Sequence, residues 1–212
     1  MKIKLHLYTR FERFWHWLQA FLIIFLLLSG FEIHGGYRLF GYAAACRWHN
    51  LAGLVLLGLT AFAIFWHLTT GQWRHYRPRF ENLQKIVAFY LVGIMRGEKH
   101  PFHKSEERKL NPLQALSYLF LKVVLLPLQL LSGLLYYYYN DWPAWGLSLR
   151  LNGVAFSHTL AAFALLLFLL VHVYLTTTGG TLSAYTVSMF TGWEEVEVEE
   201  AAAGRENESH KG

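Results

Sequence analysis

Cysteine is almost missing from this chain of 212 residues: Cys46 stands alone. That excludes a disulfide framework, a cysteine zinc site and an iron–sulfur cluster held by this chain alone. It also excludes a covalently attached c-type haem, which needs Cys-x-x-Cys-His. Charge is scarce too, at 16% of residues, against about one quarter in soluble domains. A nucleic-acid-binding basic domain does not fit so little charge. A hydrophobic content of 54% excludes intrinsic disorder, and five prolines exclude a collagen-like chain. What the chain does have is aromatic residues, 17% of the total, and eleven histidines.

Four apolar runs carry the hydrophobic content, at about 14–31, 49–69, 113–137 and 154–176. Each is long enough to cross a hydrocarbon core of about 30 Å as a helix. In lipid the backbone must satisfy its own hydrogen bonds, so the runs are expected to be helical. The sequence therefore predicts an all-α membrane protein, a bundle of four transmembrane helices over residues 1–193. A cytoplasmic loop is expected at 70–112 and an acidic, disordered cytoplasmic tail at 194–212. Lys2, Lys4, Arg10 and Arg13 precede the first run, and the long loop is rich in Lys and Arg. By the positive-inside rule both termini face the cytoplasm. Tryptophan and tyrosine at the ends of the runs, such as Trp15, Trp48 and Trp142, fit an interfacial belt. No cleavable signal peptide is expected. Within the loop, Glu81–Met95 has an amphipathic helical pattern that suits either the membrane surface or an ordinary connector.

Ionisable side chains inside apolar runs are expensive and point to function. His16 lies at the cytoplasmic end of the first run, and His49 at the outer end of the second. His158 and His172 share the fourth. Fourteen residues of helix fall about 40° short of four turns, so these two imidazoles face nearly the same way, about 21 Å apart along the axis. Depth pairs His16 with His172 near the cytoplasmic face and His49 with His158 near the outer face. Two imidazoles on facing helices suit an axially bound haem iron, and helix bundles are common hosts for such sites. Gly30, Gly53 and Gly133 would let a macrocycle or a neighbouring helix approach closely. A histidine-lined metal transporter is the competing reading. His67 shares the face of His49 at cytoplasmic depth and competes with His16 as the partner of His172. Arg10 and Arg13 can pair with haem propionates or simply anchor the N-terminus. Lys122, two turns into the third run, can snorkel or donate near a ligand pocket.

These residues form a pattern. TRFERFWHW followed by an apolar run and Ser29-Gly30 resembles the start of prokaryotic b-type cytochrome subunits. The second run opens His49-Asn-Leu-Ala-Gly53, similar to the family's His-x-x-x-Gly, and the fourth ends His172-Val-Tyr. The chain most resembles the gamma subunit of membrane-bound formate dehydrogenase, with thiosulfate reductase and nickel–iron hydrogenase cytochrome b subunits as relatives. The resemblance covers about residues 8–195 and includes RGEKHPFHKSEERKLNPLQAL ahead of the third run.

The resemblance implies two stacked haems b, held by His16 with His172 and by His49 with His158. It also implies a quinone site for menaquinone or ubiquinone at Asn111, Gln114 and His172. Pro112-Leu113 departs from the family's small residues there, and Asn111 also reads as a helix cap. The implied function is electron transfer between a catalytic oxidoreductase subunit with its iron–sulfur partner on the outer face and the quinone pool of a bacterial or archaeal inner membrane. The alternative is a stand-alone cytochrome b acting as a quinol or superoxide oxidoreductase.

Overall fold

A computed structural model describes residues 2–78, 80–98, 101–102, 109–179 and 181–197. Among them are four helical segments long and apolar enough to cross a membrane: Arg10–Ile33 (α1), Tyr42–Thr70 (α2), Pro112–Tyr137 and Leu151–Thr176 (α6). The third is composite. Pro112–Phe120 (α4) runs through a π-helical turn, Leu121–Leu125, into Leu126–Tyr137 (α5). Pro127 has no N–H and crowds the carbonyl four residues before it, and the wider π turn immediately upstream accommodates the misfit. Between α2 and α4 lies Leu83–Ala88 (α3), extended by a π turn, Phe89–Gly93. Its buried Ile86, Phe89 and Gly93 fall on one face, which is the amphipathic pattern expected for this stretch.

The chain divides into two compact units. The first is made of residues 14–70 and 121–170 and carries most of the apolar helix. Its interior is built from small side chains and a few leucines: Ser29, Ala45, Ala52, Ala63, Ser132 and Ala161, with Leu22, Leu56, Leu125 and Leu165. Large apolar side chains point outward instead, among them Phe21, Phe62, Phe65, Leu160 and Leu167. That arrangement suits lipid as solvent, where helices associate through close backbone approach rather than by hiding apolar surface from water. Two packed clusters hold this unit, one around Leu121, Leu126 and Ala161 and one around Leu22, Ala52 and Leu56.

The turn between α1 and α2 is fixed by Glu32. Its Oε1 accepts hydrogen bonds from the backbone N–H groups of Leu39, Phe40 and Gly41, at 2.8, 2.8 and 2.7 Å. A carboxylate at the start of α2 satisfies donors that no earlier turn of helix can reach, and it complements the helix dipole. α2 begins about two turns, and α6 about one turn, earlier than the apolar runs indicate. His49 and His158 therefore each stand two turns inside a helix rather than at its end.

The second unit contains residues 1–13, 71–120 and 171–212. Lys2–His6 (β1) pairs antiparallel with Trp193–Glu197 (β2), with Lys4 opposite Glu195 and 3.6 Å between their charged groups. This corrects the expectation of a disordered tail from Glu194. Opposite charges on facing strands support the pairing, although the segment is too acidic and short to read as a strand by itself. The remainder of the expected tail, 198–212, lies outside the described residues, as do 103–108 of the basic loop. Ala184–Thr191 (α7) ends at Gly192, whose φ of 88° is the left-handed conformation common after a helix. A Cβ there would lie 2.7 Å from the carbonyl oxygen of Tyr8, so the close passage of β1 requires glycine.

Candidate functional site: a paired-histidine cavity and a tyrosine-rich polar cluster

The first unit encloses a cavity of about 760 Å³ lined mostly by apolar side chains, with His49 and His158 on its wall. The two imidazole centroids are 6.3 Å apart and the rings are nearly perpendicular, at 77°. A metal–imidazole bond is about 2.0–2.1 Å long, so two rings sharing one metal have centroids roughly 6 Å apart. The separation in the cavity is therefore one at which both imidazoles could bind a single iron, were it present.

Each ring is seated by the same device. Ser29 Oγ lies 2.9 Å from His49 Nδ1, and Ser132 Oγ lies 3.1 Å from His158 Nδ1. Both serines spend their hydroxyl proton on a carbonyl one turn back, Ser29 on Phe25 at 2.8 Å and Ser132 on Leu128 at 2.6 Å. Each Oγ can then only accept from the imidazole, so Nδ1 carries the proton in both rings. The carbonyl three residues before each serine adds a second acceptor, Leu26 for His49 and Gln129 for His158. With Nδ1 protonated, Nε2 holds the lone pair, which is the state a metal ligand needs.

The glycine after each serine completes the seat. A Cβ on Gly30 would lie 3.4 Å from His49 Cε1, and one on Gly133 would lie 3.0 Å from His158 Cε1. Gly53 faces open space on the cavity wall. Gln129 also lines the cavity. Its amide nitrogen is nearly equidistant from His158 Nδ1 and Nε2, at 3.3 and 3.2 Å, and so lies along neither lone-pair direction. Its Oε1 is buried with no hydrogen-bond partner. An apolar cavity with two facing, tautomer-fixed imidazoles fits haem b, whose porphyrin supplies the remaining iron ligands. Among the described residues no group of three or more His, Cys, Asp or Glu converges as a bare transition-metal site would require.

His67 is in the same unit but is engaged differently. Its Nδ1 is 2.6 Å from the carbonyl oxygen of Ala63, and its Nε2 is 3.1 Å from Lys122 Nζ. Lys122 also lies over the Trp15 ring, 4.6 Å from its centroid. From the π turn of the third span it thus reaches both His67 and Trp15. His16 is half-buried on α1, with its ring edge-on to Trp17 at 5.1 Å.

The second unit gathers the other expected residues. Asn111 and Gln114 form a reciprocal cap on α4. Gln114 N–H donates to Asn111 Oδ1 at 2.8 Å, and Asn111 N–H donates to Gln114 Oε1 at 3.1 Å. Asn111 Nδ2 donates to Tyr90 Oη at 3.0 Å. One turn beyond Gln114, Tyr118 brings its hydroxyl to 3.4 Å from His172 Nδ1. Lys109 Nζ binds Glu12 Oε1 at 3.0 Å, with both side chains nearly buried, and Glu12 caps α1 through the Thr9 N–H at 2.7 Å. Burial, with Glu194 next in effect, pushes the Tyr8 hydroxyl well above the usual tyrosine range. Burial and Glu12 raise Tyr76 likewise. Burial also raises Tyr90, against the opposing Asn111 hydrogen bond. These phenols stay protonated and can donate to a carbonyl oxygen. Arg10 is exposed, whereas Arg13 donates through Nη1 to the Phe190 carbonyl at the end of α7.

Sequence reasoning missed the two Nδ1 serines as such, along with Gln129, Tyr90, Tyr118 and the Glu12–Lys109 pair. The repeated Ser-Gly inside an apolar run, at 29–30 and 132–133, was the available signal.

Residues 7–192 match the family described as prokaryotic cytochrome b561. The chain is also 35% identical over 201 residues to "Putative cytochrome YdhU" of Escherichia coli (strain K12), covering 90% of this chain and 74% of that one. No solved structure matches. Nearly the whole chain is covered, so it belongs to the prokaryotic cytochrome b561 family: a multi-pass membrane cytochrome that binds haem b and transfers electrons.

Proposed function

We propose that this chain is the quinone-reactive, di-haem membrane-anchor subunit of a respiratory oxidoreductase. It would pass electrons between an outer-face partner of the formate dehydrogenase type, with its iron–sulfur subunit, and the quinone pool of the cell's inner membrane. The observation that carries the reading is the His49–His158 pair, two imidazoles at metal-sharing distance with both Nδ1 protons engaged.

In this reading His49 and His158 hold the outer haem through Nε2. His16 and His172 hold the inner haem, an assignment that rests on depth in the sequence and on the family resemblance. Haem b supplies one-electron exchange at its iron when bound. His67 is left out of ligation, because its Nε2 accepts from Lys122. The basic flanks of the first and third spans support both termini on the cytoplasmic side.

For the quinone, Gln114 and Tyr118 lie one turn apart on α4, with Asn111 capping that helix and His172 of α6 beside Tyr118, and together they offer donors. The cap consumes Gln114 Oε1 but leaves its amide N–H groups for a quinone carbonyl. Quinone reduction takes two protons for two electrons, and the phenols of Tyr90 and Tyr118 and the Glu12–Lys109 pair are this unit's candidate proton carriers.

Absorbance tests the haem content. The purified protein should show a reducible b-type spectrum with two haems per chain, and both should be reduced by a quinol analogue. A haem-replete preparation with one haem or none, or haems inert to quinol, would sink the reading. Isolation in mild detergent as a lone cytochrome that still oxidises quinol would favour the stand-alone alternative. Co-purification with an iron–sulfur subunit supports the anchor role.

A further inference from the structure

We infer that Ser29 and Ser132 are matched positioning residues that set the reduction potential of the haem between His49 and His158. The inference rests on the proposed haem site and concerns what the two serines do to it.

The chemistry follows from the proton count. Each serine hydroxyl donates one turn back, so its oxygen presents lone pairs to the imidazole N–H. Pulling on the Nδ1 proton makes Nε2 a stronger donor to the metal, and a stronger axial donor favours the ferric state. Removing that pull makes the ferrous state easier to reach and raises the potential.

The two seats follow one plan. Ser29 Oγ lies 2.9 Å from His49 Nδ1, with the Leu26 carbonyl as second acceptor. Ser132 Oγ lies 3.1 Å from His158 Nδ1, with the Gln129 carbonyl at 3.2 Å. Loss of either hydroxyl leaves one backbone acceptor and removes part of the pull on its ring.

Spectroelectrochemical titration of the wild type, S29A, S132A and S29T tests this, with the outer haem identified as the one missing from His158→Ala. Threonine keeps the hydroxyl and bonds back to the same carbonyls within a helix. In S29A the ferric-to-ferrous ratio at the wild-type midpoint should fall about tenfold, an upward shift of about 59 mV for one electron. S132A should shift in the same direction, and S29T should return to the wild-type value. Loss of the outer haem from S29A but not from S29T supports the same assignment. An unmoved potential in S29A, or equal displacement in S29T and S29A, overturns it. Absence of any low-spin, bis-imidazole haem signal in the wild type would instead overturn the haem site itself.

Discussion

Nζ of Lys122 lies 3.1 Å from Nε2 of His67, and Nδ1 of that ring lies 2.6 Å from the carbonyl oxygen of Ala63. The ring is thus held at both nitrogens, with Nδ1 donating and Nε2 accepting. On the two-haem reading proposed above, His67→Ala should keep the wild-type haem content, as measured on the purified protein. It should lower thermal stability by about 1 kcal/mol, because a half-buried ammonium loses one of its acceptors. Loss of a haem in this variant would make His67 a ligand and displace His16 from that role.

The two glycines beneath the imidazoles differ in clearance. A Cβ at position 133 would press on His158 Cε1 at 3.0 Å, whereas at position 30 the distance to His49 Cε1 is 3.4 Å, an ordinary contact. Gly133→Ala should displace the His158 ring and weaken outer-haem retention roughly tenfold or more, while Gly30→Ala should be much milder. Haem occupancy after competition with apomyoglobin measures both. Equal effects would mean that the rings have more freedom than this packing allows.

Glu12 and Lys109 form a nearly buried ion pair, with 12% and 10% of their side chains exposed. Removing one partner strands the other charge, so Lys109→Met and Glu12→Gln should each destabilise the protein by about 3 kcal/mol. The double variant should recover much of that loss, because it leaves no unpaired charge. Detergent thermal-shift measurements decide the matter. A simple sum of the single effects in the double variant would show that the two residues act independently.

Gln114 has its carbonyl committed to the α4 cap, and among the described residues its amide N–H groups meet no acceptor. Gln114→Glu can keep the cap while removing those donors. It should cut the rate of quinol-driven haem reduction about tenfold with the haem spectrum unchanged. Asn111→Ala removes the cap itself, at about 1 kcal/mol, together with the Tyr90 contact. A Gln114→Glu variant with wild-type quinol kinetics would remove Gln114 from the quinone site.

The four spans were legible because lipid permits so few polar residues over their length, and that pattern appears in any single sequence. Their starts were not. Tyr42–Trp48 and Leu151–Gly153 mix aromatic, small and polar residues at the membrane edge, where hydropathy no longer distinguishes helix from loop. The β1–β2 pair was hidden because its strands come from opposite ends of the chain and only their pairing makes them strands. His49 and His158 could be paired by depth, but the tautomer of each ring could not be read. It depends on where a neighbouring serine sends its own proton, a matter of three-dimensional geometry. His67 shows the converse, a histidine at suitable depth and phase whose nitrogens are claimed by other groups.

The duplicated seat bears on how such a protein is made. Ser29-Gly30 and His49 belong to the first pair of spans, and Ser132-Gly133 and His158 to the second. Each pair presents one complete half-clamp and nothing of the other. A cofactor that needs both halves cannot be captured as the first pair enters the bilayer. It must wait until the second pair has been inserted and has docked. On the proposed ligation, loading of the haem between His49 and His158 would be a late checkpoint in biogenesis. Its binding energy would then be spent on keeping the two hairpins together.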